Sequence, residues 1–94
     1  MKVLIAYDVA TGDGAGERRL RRVARACQDY GQRVQKSVFE CTLGALELVQ
    51  LRGRLLSAID PSRDSLRMYF LDKDVTIETH GVALPWNLDG PLVV

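Results

Sequence analysis

Val3-Leu4-Ile5-Ala6-Tyr7-Asp8-Val9 is the stretch from which the architecture of this chain follows. It is rich in β-branched residues and leucine and is apolar on both alternating faces as far as Ala6, which is typical of a strand covered on both sides. We therefore predict a central strand. A single layer of helices covers only one face of a sheet, and a chain of 94 residues has little left to cover the other. The sequence thus predicts a homodimer packed sheet to sheet.

A glycine-rich break follows this strand and precedes a helical segment. The break, Gly12-Asp13-Gly14-Ala15-Gly16, predicts a loop, and it lacks the spacing of a dinucleotide-binding or Walker motif. Helical periodicity runs from Glu17 to Tyr30, and its apolar face consists of Leu20, Val23, Ala24 and Cys27. This segment predicts an amphipathic first helix.

The remaining segments complete an α+β pattern. They are a β-rich stretch over residues 33–43, a helix capped by Thr42 that ends near Ile59, and strands over residues 65–71 and 75–79. This order predicts a ferredoxin-like βαββαβ sandwich with a short fifth strand, provided that residues 33–43 contain two strands. Such a hairpin needs a tight turn near Lys36-Ser37, where no Gly or Pro marks one. We assign residues 1–80 to this domain and residues 81–94 to an extended tail that packs on the partner protomer.

Basic residues are concentrated in one part of a nearly neutral chain. Residues 17–36 contain seven basic and two acidic residues, a local charge of +5 in a chain whose net charge is +1. At about 100 degrees per residue, four arginines form a stripe roughly half a turn from the apolar face: Arg18, Arg21, Arg22 and Arg25. An aligned basic stripe is typical of a surface that binds a polyanion, and the alternative is an ordinary solvated helix face.

The composition also argues against several classes of protein. No stretch approaches the roughly 20 apolar residues that a bilayer-spanning helix needs, so we expect a cytoplasmic protein with no membrane partner. Cys27 and Cys41 stand far apart with no second pair, which indicates neither a zinc knuckle nor a disulfide framework. We predict that both are buried thiols.

Several motifs resemble those of one known family. They are Tyr7-Asp8-Val9 at the end of the first strand, the arginine-rich helix, the run YGQRVQKSVFE over residues 30–40, Ile59-Asp60, and Asp64-Ser65-Leu66-Arg67. Together they resemble the small CRISPR-associated adaptation protein, the non-integrase partner in spacer acquisition, from Met1 to about Leu71. The ending Gly90-Pro91-Leu92-Val93-Val94 is similar to the tail of one subtype of that family.

This resemblance implies a ferredoxin-like homodimer in which the fifth strand of each protomer joins the partner's sheet. It implies that the dimer sits between two dimers of the adaptation integrase, with its basic surface along a double-stranded DNA awaiting insertion into the repeat array. Relatives are also described as metal-dependent endonucleases that act on single-stranded RNA or double-stranded DNA. The competing functions are therefore an architectural DNA-binding dimer, a stand-alone magnesium-dependent endonuclease, and a toxin-like ribonuclease of similar fold.

Asp8 is the candidate catalytic and metal-binding residue. An ionised carboxylate at the end of an apolar strand needs a cation or hydrogen-bond donors. In one interpretation Asp8 hydrogen-bonds the backbone of the turn that follows it. In the other, which the resemblance favours, Asp8 of two protomers face each other across the dimer axis and share a weakly bound magnesium ion.

We place Tyr7 and Phe39 at the dimer interface. Six residues are predicted to contact nucleic acid: Arg18, Arg19, Arg21, Arg22, Arg25 and Arg33.

Overall fold

The computed structural model describes residues 1–72 and 74–82 of the chain. The elements in this part are β1 (Lys2–Asp8), α1 (Gly14–Tyr30), β2 (Gly31–Gln35), β3 (Val38–Thr42), α2 (Ala45–Ala58), β4 (Ser65–Phe70) and β5 (Thr76–Gly81). The strands form one antiparallel sheet in the order β2-β3-β1-β4-β5. The predicted α+β architecture with a central first strand and a fifth strand is therefore confirmed. The predicted tail, apart from Gly81 and Val82, lies outside the described residues.

The chain between β2 and β3 reverses at Lys36 and Ser37, as the ferredoxin-like order requires. The register shifts between Arg33 and Gln35, which marks an irregularity beside the turn. None of the helices in the described part of the chain has the length and apolar character needed to cross a membrane.

Both helices pack on one face of the sheet and enclose the hydrophobic core. Strand alternation directs Val3, Ile5 and Tyr7 of β1 toward the helices, where they join buried residues of α1, α2, β3 and β4. Cys27 and Cys41 belong to this core as free thiols, as predicted. Burial raises the pKa of Cys27 to about 12, so this thiol stays protonated and unreactive.

Helix α1 begins earlier than the sequence predicted. Asp13 is its N-cap, and the Asp13 carboxylate accepts a hydrogen bond from the Gly16 backbone N–H at 2.7 Å. Residues 14–16 of the stretch predicted as a loop therefore form the first turn of the helix, whereas Gly12 and Asp13 precede it. Gly16 is buried, and a Cβ at this position would collide with the carbonyl oxygen of Ala10. The glycine is needed because the helix packs directly against the chain that leaves β1.

Helix α2 begins at Ala45, with Gly44 as its N-cap. The Gly44 backbone N–H donates a hydrogen bond to Glu47 Oε1 at 2.9 Å. The predicted Thr42 cap is wrong, because Thr42 is the last residue of β3 and pairs with Lys2 of β1. The pairing of β3 with the central strand thus extends further than the local cap signal suggested.

Strand β5 pairs with β4 of its own chain. The resemblance placed this strand on a partner's sheet, whereas in the single chain it fills the edge beside its own β4. An ion pair joins β5 to α2: Arg52 Nε and Nη2 of α2 donate to the two carboxylate oxygens of Glu78 of β5, each at 2.9 Å. The ring nitrogen Nε2 of His80 lies 2.6 Å from Glu78 Oε2.

The other face of the sheet carries neither α1 nor α2. An apolar row crosses it, because Leu4 pairs with Tyr69 and Tyr69 pairs with Ile77. Ile77 is 39% exposed. The buried hydroxyl of Tyr69 has no hydrogen-bond partner among the described residues.

Candidate nucleic-acid interface and the Asp8 edge

An exposed groove lined by arginines runs between the two helices. Four of its arginines come from α1, at the spacing i, i+3, i+4 and i+7 that aligns side chains on one helix face: Arg18, Arg21, Arg22 and Arg25. Arg54 of α2 completes the set, and the small residues Ala26, Ser57 and Ala58 line the rest. The volume of this arginine groove is about 390 Å³. The structure therefore brings the predicted stripe together and adds a fifth guanidinium.

Arg54 was missed by the sequence reasoning because it belongs to the second helix. Its position is set by contacts with the end of α1: Arg54 Nη1 donates to Asp29 Oδ2 at 2.9 Å, and its guanidinium lies 5.9 Å from the centroid of the Tyr30 ring. A signal existed, since Gln50, Arg54 and Ser57 form a polar stripe on α2. Only the packing of the two helices shows that this stripe faces the arginines of α1.

Asp29 also binds Arg25. The Arg25 Nε donates to Asp29 Oδ1 at 3.3 Å, so a single carboxylate bridges one arginine of each helix. The hydrogen bond from Arg54 lowers the pKa of Asp29 below its ordinary value, and the charge of Arg25 acts in the same direction. The carboxylate is therefore ionised at neutral pH.

Arg19 does not belong to the groove. Its Nε donates to Asp64 Oδ2 at 2.8 Å, and its Nη2 donates to Asp64 Oδ1 at 3.2 Å. Asp64 is fully buried and also accepts the backbone N–H of Ala10 at 3.0 Å and of Asp60 at 2.8 Å. Arg19 is thus a structural residue that ties α1 to the end of β1 and to the turn before β4. Its predicted contact with nucleic acid does not fit this geometry.

The ionisation of Asp64 results from opposing influences. Burial on its own would raise the pKa of this carboxyl, but the hydrogen bonds from Arg19 and from the backbone of Asp60 and Ala10 outweigh it. The net pKa is lowered, so Asp64 is charged and fully paired. The sequence resemblance included Asp64, yet nothing in the sequence alone paired it with Arg19.

Asp8 stands at the end of β1, and its side chain is exposed. It forms no hydrogen bond or ion pair with the described part of the chain, and the first turn of α1 is capped by Asp13 instead. The interpretation of Asp8 as a turn-capping residue is therefore wrong. Asp8 borders a cleft of about 400 Å³ that Arg33, Lys36 and Ser37 also line.

The donor set at Asp8 does not make a magnesium site within one chain. Within residues 1–72 and 74–82, no group of three or more His, Cys, Asp or Glu side chains lies together where it would hold a metal. Magnesium prefers six oxygen ligands in octahedral geometry. Proteins often supply only one or two of these ligands, as carboxylates. Asp8 supplies one, so further protein ligands would have to come from a second chain.

Tyr7 and Phe39 lie in the core and not on the exposed face of the sheet. Tyr7 is 6% exposed and Phe39 is fully buried, and their rings stack with centroids 6.2 Å apart. Both side chains point to the helix-covered face of the single chain, and their assignment to a dimer interface stays a prediction. Burial raises the pKa of Tyr7, so its hydroxyl remains protonated.

Arg33 is exposed on β2, and its guanidinium lies 5.0 Å from the centroid of the Phe39 ring. It lines the cleft beside Asp8 and is not part of the arginine groove. The predicted basic residues thus divide among three places: the groove, the buried Asp64 pair and the Asp8 cleft.

Comparisons with known proteins agree with this architecture. Residues 1–76 match a family model described as CRISPR associated protein Cas2. The CRISPR-associated endoribonuclease Cas2 of Chlorobaculum tepidum is 50% identical over an alignment of 96 positions, which covers 100% of each chain. The CRISPR-associated endonuclease Cas2 of Halalkalibacterium halodurans is 47% identical, with 99% of each chain covered. The crystal structure of Streptococcus pyogenes Cas2 at pH 6.5 superposes with a TM-score of 0.71 at 53% identity, covering 79% of this chain and 89% of that one. This chain therefore belongs to the CRISPR-associated Cas2 family.

Proposed function

We propose that this chain acts in CRISPR adaptation as a homodimeric scaffold that binds duplex DNA along the arginine groove and bridges dimers of the adaptation integrase. The observation that carries the proposal is the groove itself, in which five guanidiniums from two helices line one exposed surface. Membership of the Cas2 family supports a role in a CRISPR system. The proposal assigns the DNA contact to the outer face of the helices.

The chemistry of the groove suits a nucleic-acid backbone of any sequence. Guanidinium groups stay charged at all physiological pH values and donate paired hydrogen bonds to phosphate oxygens. Arg18, Arg21 and Arg22 have no ion-pair partner among the described residues, so their charge is available to a ligand. Binding through phosphates requires no base contact and is strongly salt-dependent.

The homodimer is supported by the sheet face that the helices leave uncovered. The apolar row of Leu4, Tyr69 and Ile77 lies on this face. Tyr69 is already buried in the single chain, Leu4 is half-buried and Ile77 is 39% exposed, so a second copy would cover the part that remains exposed. In that arrangement the helices and their arginines remain on the outside of both protomers. A dimer packed through its sheets therefore presents two arginine grooves to DNA.

The experiment that tests the proposal compares two double variants with equal loss of charge. Arg21→Ala/Arg22→Ala removes two groove arginines, and Lys2→Ala/Arg63→Ala removes two exposed cations outside the groove. Fluorescence anisotropy with a short labelled duplex is expected to show at least a tenfold loss of affinity for the groove variant. The control is expected to bind nearly as well as the wild type. Equal losses in the two variants would refute the assignment of DNA binding to the groove.

A second candidate function is a metal-dependent endonuclease that acts on single-stranded RNA or double-stranded DNA. The names of the Chlorobaculum tepidum and Halalkalibacterium halodurans relatives favour it. So does the exposed Asp8, which makes no ion pair with the described residues and lines a cleft together with the cations Arg33 and Lys36. In this candidate, Asp8 of each protomer contributes one ligand to a shared magnesium ion. Nuclease assays of wild type and Asp8→Asn with added magnesium test it. Cleavage that persists in Asp8→Asn would rule out chemistry at this residue.

A further inference from the structure

We propose that Asp29 occupies a phosphate-binding position at the end of the arginine groove and competes with nucleic acid for it. The inference rests on the proposed function, because it concerns the same groove. Asp29 Oδ1 accepts from Arg25 Nε at 3.3 Å, and Asp29 Oδ2 accepts from Arg54 Nη1 at 2.9 Å. A backbone phosphate presents two non-bridging oxygens that reproduce this contact with one arginine of each helix.

The arginines of the groove fall into two groups. Three of them, Arg18, Arg21 and Arg22, make no ion pair within the described ranges, whereas Arg25 and Arg54 both bind Asp29. Asp29 follows Arg25 by one helical turn, so its carboxylate lies at the C-terminal end of the α1 stripe. The groove is therefore open to an anion over most of its length and already holds a negative group at one end.

The helix dipole does not favour an aspartate at this position. Asp29 lies in the last turn of α1, where a negative charge opposes the helix dipole. The aspartate is not the only contact that orients Arg54, because the Arg54 guanidinium also lies 5.9 Å from the centroid of the Tyr30 ring. Tyr30 is itself fixed by a hydrogen bond from its hydroxyl to Gln50 Oε1 at 3.2 Å. Arg54 thus keeps its place over the groove when the carboxylate is removed.

A phosphate can displace the carboxylate because both ion pairs are exposed. The side chain of Arg25 is 75% exposed, and those of Arg54 and Asp29 are each 42% exposed. Exposed pairs of this kind contribute little stability, so breaking them costs little. The competition nevertheless lowers the affinity for nucleic acid and removes one phosphate contact from each groove. Asp29 in this account limits how long a stretch of backbone each protomer binds.

The experiment compares Asp29→Asn with Asp74→Asn. Asp74 is exposed in the connection between β4 and β5 and lies outside the groove. Both variants raise the net charge by one, so the comparison separates a local effect from a general electrostatic one. With the short labelled duplex, Asp29→Asn is expected to bind roughly threefold to tenfold more tightly than Asp74→Asn. The slope of log affinity against log salt concentration should steepen by about 0.9 for each groove engaged. Adding Arg54→Ala to Asp29→Asn should abolish the gain.

The outcomes separate this inference from the proposed function. If neither the wild type nor Asp29→Asn binds the duplex, the proposed function itself fails. If the wild type binds but Asp29→Asn binds no better than Asp74→Asn, the competition is refuted while the groove assignment stands. Weaker binding by Asp29→Asn would also refute it, because the carboxylate would then be needed to orient Arg25 and Arg54. Thermal melting of each variant checks that the fold is unchanged.

Discussion

The carboxylate of Asp64, which is fully buried, accepts the Nε–H of Arg19 at 2.8 Å and so joins helix α1 to the turn before β4. The same carboxylate accepts the backbone N–H of Ala10, two residues after Asp8. The Asp64 carbonyl oxygen also accepts the Val82 N–H, just after β5. One residue thus links four segments that surround the end of the central strand.

Asp64→Asn is expected to destabilise the protein by about 3–5 kcal/mol, because removing one partner of a buried ion pair leaves the other charge uncompensated. The pKa of Asp64 in the folded protein is lowered below 3.8, so its contribution is fully present above that pH. It is lost as the pH falls through the folded-state pKa. Urea denaturation at several pH values should show a constant difference between wild type and variant from pH about 5 to 7, and a smaller one below about pH 4. A difference that does not change with pH would contradict the pairing.

A comparison of Arg19 with Arg18 distinguishes a structural arginine, paired with Asp64, from one that contacts phosphate. Each phosphate contact contributes about 0.9 to the slope of log affinity against log salt concentration for duplex DNA. Arg18→Ala is expected to reduce this slope and leave the melting temperature nearly unchanged. Arg19→Ala is expected to lower the melting temperature by several degrees and leave the slope unchanged. A reduced slope in Arg19→Ala would restore this residue to the binding surface.

Two glycines in helices should respond in opposite directions to substitution by alanine. At Gly16 a Cβ would collide with the Ala10 carbonyl oxygen, a backbone atom, so Gly16→Ala should cost about 1–3 kcal/mol. At Gly53, on the exposed side of α2, no atom of the described residues lies within 4 Å of the added Cβ. Gly53→Ala should therefore stabilise the fold by about 0.5–1 kcal/mol through helix propensity. Chemical denaturation measures the change in the free energy of unfolding for both variants. Stabilisation by Gly16→Ala would refute the close approach of α1 to Ala10, just after β1.

Dimerisation through the uncovered sheet face predicts a specific effect of charge at Ile77. Ile77→Glu places a carboxylate in the apolar row, and the protein should become monomeric by light scattering. Val49→Glu is the matched control, because Val49 is 62% exposed on α2, on the other side of the molecule. A dimer that survives Ile77→Glu, or dissociates equally with Val49→Glu, would place the interface elsewhere.

Most of the architecture and part of the candidate site could be predicted from the sequence. The apolar pattern of β1 and the arginine stripe of α1 each reflect a local periodicity, and both were predicted. The burial of Tyr7 and the partial burial of Arg19 each had a local signal: Arg19 precedes Val23 by four residues and so shares its buried helix face. Tyr7 has the same strand parity as Val3 and Ile5.

Other features depend on contacts between distant segments, which a local sequence pattern does not determine. The pairing of Arg19 with Asp64 and the entry of Arg54 into the groove both require the packed helices. Gly16, in the first turn of α1, packs closely against Ala10, and this contact explains a glycine within the helix although glycine is a weak helix former. Tertiary packing, and not the local pattern, fixed these positions.

The most direct test of the central claim is the frequency of spacer acquisition in cells that carry the adaptation integrase and a repeat array. We expect Arg21→Ala/Arg22→Ala to lose acquisition, because these arginines line the groove that we propose binds the duplex. We expect Asp8→Asn to retain acquisition, because the scaffold role does not require chemistry at that carboxylate. The opposite result, with acquisition lost in Asp8→Asn and preserved in the groove variant while both proteins are folded, would contradict the account.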